Sequence, residues 1–234
     1  YGLKQDANSA VLLASEAAAR AFIPANGTLA LTWTEQGFGD GGWITGTTGV
    51  GYDRQTTYLG LIGLDVRTQM DNIRATAYIR VPFTVSAGSS FTALRLRMKY
   101  DDGFIVYLNG VEVARRNAPT SPVWDSGATT TNDDADAVIF ESFDLPGSAS
   151  LLEIGTNMLA IHGLNSGAGS SDFLVVPELD GFDSGDLDRA VRQYFHQPTP
   201  GSGNVPGYPG IAGTPLFSRP GGVFTSTLNV TLST

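Results

Sequence analysis

The sequence predicts an all-β fold, an antiparallel β-sandwich of the jelly-roll kind followed by an extended Pro/Gly-rich tail. Three observations carry this. Asn109-Gly110 separates two short apolar runs, Phe104–Leu108 and Val111–Ala114, and Asn-Gly between such runs favours a hairpin because a type I′ turn needs φ > 0 at both central residues. Eight to eleven stretches of alternating or continuous apolar residues recur at short spacing, divided by Gly, Pro, Asn and Asp. No strand–helix–strand alternation appears, and the 29 glycines and 12 prolines favour many turns over long helices.

In chain order, Tyr1–Ser9 is polar and extended. Ala10–Ile23 is ambiguous: Ala14–Ala21 has helical propensity, while Val11-Leu12-Leu13 and Ala21-Phe22-Ile23 fit two strands around a turn, with Pro24 as the stop. Asn26-Gly27 reads as a turn, and Leu29–Thr34 as a strand with Leu29, Leu31 and Trp33 on one face. Gly-rich loops follow at 38–52, amid the aromatics Trp33, Phe38, Trp43, Tyr52 and Tyr58; such rings fill cores or stack on sugars, and Trp33 and Trp43 are expected in the core. A short helix or turn falls within Leu59–Met70. Ala75–Val85 alternates as a half-buried strand, with Pro82 marking an edge or a bulge. Phe91–Tyr100 alternates with Arg95, Arg97 and Lys99 on one face.

After the Asn109-Gly110 hairpin the chain runs irregularly to about Ala135, and its Asn132–Asp136 acidic cluster is a solvated loop that can contribute to cation binding. Strands are expected at Ala137–Leu145, Asn157–Leu164 and Phe173–Leu179, the last two flanking the polar loop Asn165–Asp172. The domain reading is a β-sandwich over 10–180, an acidic segment and Pro/Gly linker over 181–215, and the first strand of a further β module over 216–234, Val223–Leu232 being that strand. The start at Tyr1 without Met and the end within an apparent strand read as an excerpt of a longer protein.

Composition narrows function. The net charge of −9 and the lack of a Lys/Arg cluster argue against nucleic acid. An acidic surface suits neutral glycans, cationic partners or divalent metals, and most often serves solubility. No cysteine is present, which excludes disulfides and thiolate chemistry. No run reaches the ~20 apolar residues of a membrane helix. The two histidines, His162 within an apolar strand and His196 in the linker, offer little to a Ser–His–Asp triad, and there is no Gly-x-Ser-x-Gly elbow. Glu35, Glu112, Glu141, Glu153 and Glu178 form no recognisable catalytic pair. The expectation is a non-catalytic protein.

The candidate site is Asp101-Asp102-Gly103, an acidic turn between Leu94–Tyr100 and the hairpin. Calcium takes six to eight oxygens. Asp101 and Asp102 can supply two or three, the more readily across a cis peptide bond, and the ligand site extends to Asn165, Ser171 and Asp172 if the two loops share one end of the sandwich. Asp180, Asp183 and Asp186 form a second metal candidate. Asp101-Asp102-Gly103 also reads as a plain turn, with the Asp pair serving only the chain reversal.

Several motifs together resemble modules of large exported bacterial surface proteins of the lamin-tail and CotH kind: Gly49–Tyr52, Ala77–Phe83, Leu96–Phe104, Val106–Pro119, Asn157–Asn165 and Ser171–Leu174. Tyr194–Gly201 resembles the segment that follows such modules, and Leu216–Thr234 the opening of a chitobiase C-terminal-like β domain. The resemblance implies a galactose-binding-like jelly roll in an extracellular or cell-surface protein. Fainter similarities run to the sugar-binding domains of β-galactosidases and, through Asp101-Asp102-Gly103 alone, to PA14-like adhesin domains, in which an Asp pair chelates calcium that holds sugar hydroxyls. The functional expectation is therefore carbohydrate binding or adhesion, assisted by calcium. The partners are a glycan or neighbouring surface-protein domains, without nucleic acid or membrane insertion. The alternative is a structural spacer or fibre module that self-associates through its terminal strand.

Overall fold

The computed structural model describes residues 9–182, together with the short strand pair at 216–217 and 232–233. By compactness the chain divides into two units, 8–187 and, separately, 1–7 with 188–234.

In chain order the strands are β1 (Ser9–Leu13), β2 (Ala18–Phe22), β3 (Ile44–Thr47), β4 (Val50–Asp53), β5 (Leu64–Asp65), β6 (Thr76–Val85), β7 (Ala93–Asp101), β8 (Gly103–Leu108), β9 (Val111–Arg116), β10 (Glu141–Leu145), β11 (Gly155–Leu164) and β12 (Asp172–Phe182). Beyond them, β13 (Leu216–Phe217) pairs antiparallel with β14 (Leu232–Ser233). One-turn helices α1 (Arg67–Met70) and α2 (Asp134–Ala137) interrupt the loops. One six-stranded sheet runs β10-β7-β12-β4-β5 with β1 also on β12; the other runs β3-β2-β6-β11-β8-β9. Apart from the parallel β4–β5 contact, the pairings are antiparallel. The chain passes from one sheet to the other at eight of the eleven connections from β1 to β12, so the predicted sandwich is the observed one and its winding is that of a jelly roll.

Between the sheets lies the main core, in which Val50, Ile79, Leu96, Val106, Ile161 and Phe173 are fully buried. Two strands depart from simple alternation. All six residues of β8 are buried, because Phe104, Val106 and Leu108 face the main core while Ile105 and Tyr107 pack outward under Trp33. For the same reason β6 is buried on both faces as far as Val81 and alternates only from Pro82 onward. Pro82 sits in an internal strand. It lies beyond the last β2 partner, Arg20 opposite Arg80, so its missing N–H leaves no gap in the ladder.

The ambiguity at 10–23 resolves to strands. β1 joins one sheet and β2 the other, and Ala19 and Ala21 are small enough to be buried between neighbours. Expectation fails at Leu29–Thr34, which is turns and a 3-10 turn over Thr32–Thr34, with Trp33 buried and Leu31 exposed. Arg80 explains the departure. Its side chain is buried, and its guanidinium pairs with Asp40 at 2.7 Å while donating to the carbonyls of Trp33, Glu35, Gln36 and Phe38. Carbonyls converging on one cation cannot serve a strand ladder. Asn109 and Gly110 both have positive φ, 49° and 90°, as the type I′ reading requires. The Asn109 side chain also donates to Leu151 O and Asn157 Oδ1 and accepts from Met158 N–H.

Candidate functional site

The antiparallel pairing of β11 with β8 and of β12 with β7 brings the β7–β8 turn and the β11–β12 loop to the same end of the sandwich. Asp101 closes β7 opposite Leu174, Asn165 follows β11, and Asp172 opens β12 opposite Asp53 of β4. Asp101, Asp102, Asn165 and Asp172 are 3%, 3%, 0% and 6% exposed, so they form a buried polar cluster with little surface of their own. Ser171 is partly exposed at its margin. The Asp101–Asp102 peptide bond is cis.

The members do different work. Asp102 is a staple. Its Oδ1 accepts from the Asn132 N–H at 2.9 Å, its Oδ2 from the Ser166 N–H at 2.7 Å, and its carbonyl from Asn117 Nδ2 at 2.8 Å. Its own N–H donates to Leu164 O at 3.1 Å, and Asn132 Nδ2 reaches Tyr100 O at 2.8 Å. Asn165 donates from Nδ2 to the Asp172 carbonyl at 2.6 Å. The Ser171 hydroxyl donates to Asp172 Oδ2 at 3.1 Å. Asp101 is the exception: among the described residues its buried Oδ2 meets no partner at hydrogen-bond geometry, and neither does the hydroxyl of the neighbouring Tyr58.

Electrostatics follow from this. Burial, then the neighbouring carboxylates of Asp102 and Asp172, push the Asp101 carboxyl up to about 9, so without a cation it holds a proton at neutral pH. Burial and then the charge of Asp101 raise the Tyr58 phenol as well. Among the described residues, no three or more His, Asp or Glu side chains stand close enough together to hold a metal ion by themselves. Cation binding here would draw on carbonyl, amide and water oxygens beside Asp101 and Asp102.

Asp180 does not join the cluster. It lies opposite Arg95, six residues along β12 from Leu174. Asp183 and Asp186 lie outside the described residues, as do His196 and Val223–Asn229. Residues at the site outside the expected set are Asn117, Asn132 and Tyr58, while Ser166 falls within the expected Asn165–Asp172 loop. Asn132 had a signal in its acidic neighbourhood; Tyr58 sits among aromatics assigned to core or stacking, with nothing to single it out. His162 is 3% exposed in β11, and burial lowers its pKa to about 4. Glu112 pairs with Arg115, Glu141 with Arg116 and Glu178 with Arg97.

The sequence matches no protein-family model, and it matches no curated protein. Solved structures with some similarity of fold include a β-glucuronidase from Bacteroides uniformis, with TM-score 0.48 and 14% identity over 75% of this chain and 18% of that one. A β-glucuronidase from an uncultured Clostridium species gives 0.47 and 12% over 79% of this chain and 31% of that one. A glycoside hydrolase family 2 β-glucuronidase gives 0.46 and 12% over 78% and 18%. The chain spans less than a third of the length of each.

Proposed function

We propose that this chain is a non-catalytic carbohydrate-binding module of an exported bacterial surface protein, acting in glycan binding or adhesion, with a calcium ion ordering its loop end. The observation that carries the calcium part is the buried, unpartnered Asp101 Oδ2 beside Asp102 and near Asp172. An ionised carboxylate buried without a partner is costly, and a hard cation removes that cost. Asp101 and Asp102 would supply carboxylate oxygens, with the Asn165 amide oxygen, backbone carbonyls and water completing the set. The ion would join the segments that Asp102 already ties together, 117, 132 and 166. The polar loop Asn165–Asp172 would then be held in one shape for hydroxyl-bearing ligands.

The non-catalytic part draws on the same chemistry. His162 is buried and uncharged at neutral pH, and Glu112, Glu141 and Glu178 are engaged by arginines. The acidic overall charge suits a neutral glycan. A glycan array with and without EDTA tests the reading: chelator-sensitive binding to neutral glycans is expected. A flat array in both conditions, with concentration-dependent multimers in light scattering, would overturn it in favour of a structural spacer that recognises only its neighbours.

A further inference from the structure

On the outer face of the second sheet, the segment 27–33 and the segment 122–124 border a cavity of about 310 Å³ above β6 and β11. Its lining includes Leu31, Trp33, Tyr78, Val123, Trp124 and His162. We propose that this cavity is a binding pocket for a single neutral pyranose ring. The proposal rests on the carbohydrate reading above and deepens it by naming the site of sugar contact and the class of sugar.

Three observations carry the assignment. First, the volume is that of a small-ligand site, and the wall is aromatic with a few polar groups, which suits a ring with an apolar C–H face and hydroxyl edges. Second, among the described residues no Asp, Glu, Lys or Arg lines the cavity, and the charges near it, Arg74 on the Trp124 ring and Asp125 acting on Tyr78, are of opposite sign and favour neither a uronate nor an amino sugar. His162, the lining group that titrates nearest neutrality, is kept uncharged at pH 7 by burial. Third, the mouth carries two large exposed apolar side chains, Leu31 at 55% and Val123 at 58%, and such surface beside a cavity marks a contact site more often than chance exposure does.

The walls are held before any ligand arrives. Trp33 stacks on Tyr78 with ring centroids 4.1 Å apart and planes at 8°, and His162 meets the Tyr78 ring edge-on at 5.0 Å. The Arg80 guanidinium anchors the Trp33 carbonyl from below. Across the mouth, the Arg74 guanidinium lies 5.3 Å from the Trp124 ring centroid. Gly27 lets the indole approach closely, since a Cβ there would lie 2.9 Å from Trp124 Cδ1. Walls fixed in advance reduce the ordering cost of binding.

The test titrates the intact chain with methyl glycosides of neutral hexoses, the matching uronic acids, and oligosaccharides ending in those hexoses, following tryptophan fluorescence and calorimetry. Neutral glycosides are expected to bind, uronic acids to bind at least about tenfold more weakly, and EDTA to leave cavity binding unchanged. Trp124→Ala and, as a second variant on an exposed rim position, Leu31→Arg should each weaken binding by about tenfold or more with the melting temperature preserved. Equal affinity for glycoside and oligosaccharide indicates a pocket for one ring from either source; stronger oligosaccharide binding that is still lost in both variants indicates a chain-end pocket. Both outcomes support the proposal. Glycan binding that disappears with EDTA but survives both variants would overturn the cavity and leave the carbohydrate reading standing. No binding of any sugar under either condition would overturn both.

Discussion

At the scale of the residue, Asp101 is where pH and fold meet. Its folded carboxyl titrates near 9 because of burial and two carboxylate neighbours, against about 3.9 for a free Asp. In chelator, the folded chain therefore keeps a proton that the unfolded chain releases, and stability declines as pH rises from about 4 to about 9. Melting temperatures in EDTA should fall across that interval for the native chain and fall less for Asp101→Asn, which cannot ionise. The cation reverses the sign of the argument: calcium must displace the proton, so its affinity should rise by up to about tenfold per pH unit below 9. Calorimetry at pH 6 and pH 8 measures this directly, and a pH-independent affinity would disprove the assignment of Asp101 as ligand.

At the scale of the element, loops prove as well specified as strands. The segment from Trp33 to Asp40 has no ladder, yet one buried arginine in β6 gathers four of its carbonyls. Removing that arginine strands those acceptors and leaves Asp40 with Arg20 alone. Arg80→Met should cost about 3 kcal/mol in urea denaturation, and Arg80→Lys should recover little of it, since an ammonium lacks the planar fork. On the other sheet, Gly51 of β4 lies so near β12 that an added Cβ would stand 2.1 Å from the Phe173 carbonyl oxygen. Gly51→Ala should cost about 2 kcal/mol or more by forcing the two strands apart, detectable in the same denaturation series.

At the scale of the molecule, the sequence made the sandwich legible through local rules: Asn109-Gly110 for a hairpin, Asn157–Leu164 and Phe173–Leu179 for central strands, Asp101-Asp102-Gly103 for a turn. These features depend on residues close together in the chain or on a period of two. The rest depends on encounters between distant segments. Nothing around Leu29–Thr34 announces that its carbonyls will meet Arg80, and nothing in the irregular stretch after Arg115 announces that Trp124 will face Trp33 across a cavity. The alternation of Leu29, Leu31 and Trp33 matched a strand by coincidence. The one-sided alternation expected for Ala75–Val85 was masked because both faces of its first half are covered.

One consequence of the winding concerns time. β1 finds its partner in β12, with Ser9 opposite Phe182, and β12 also separates β7 from β4. While the chain is being synthesised, the first sheet stays divided until its last strand emerges. At roughly 5–20 residues per second, the earliest strands wait on the order of ten seconds or more with their edges unpaired. Assembly dominated by such distant partners is slow, and the interval is long enough for a chaperone to engage a strand edge or for two nascent chains to trade strands.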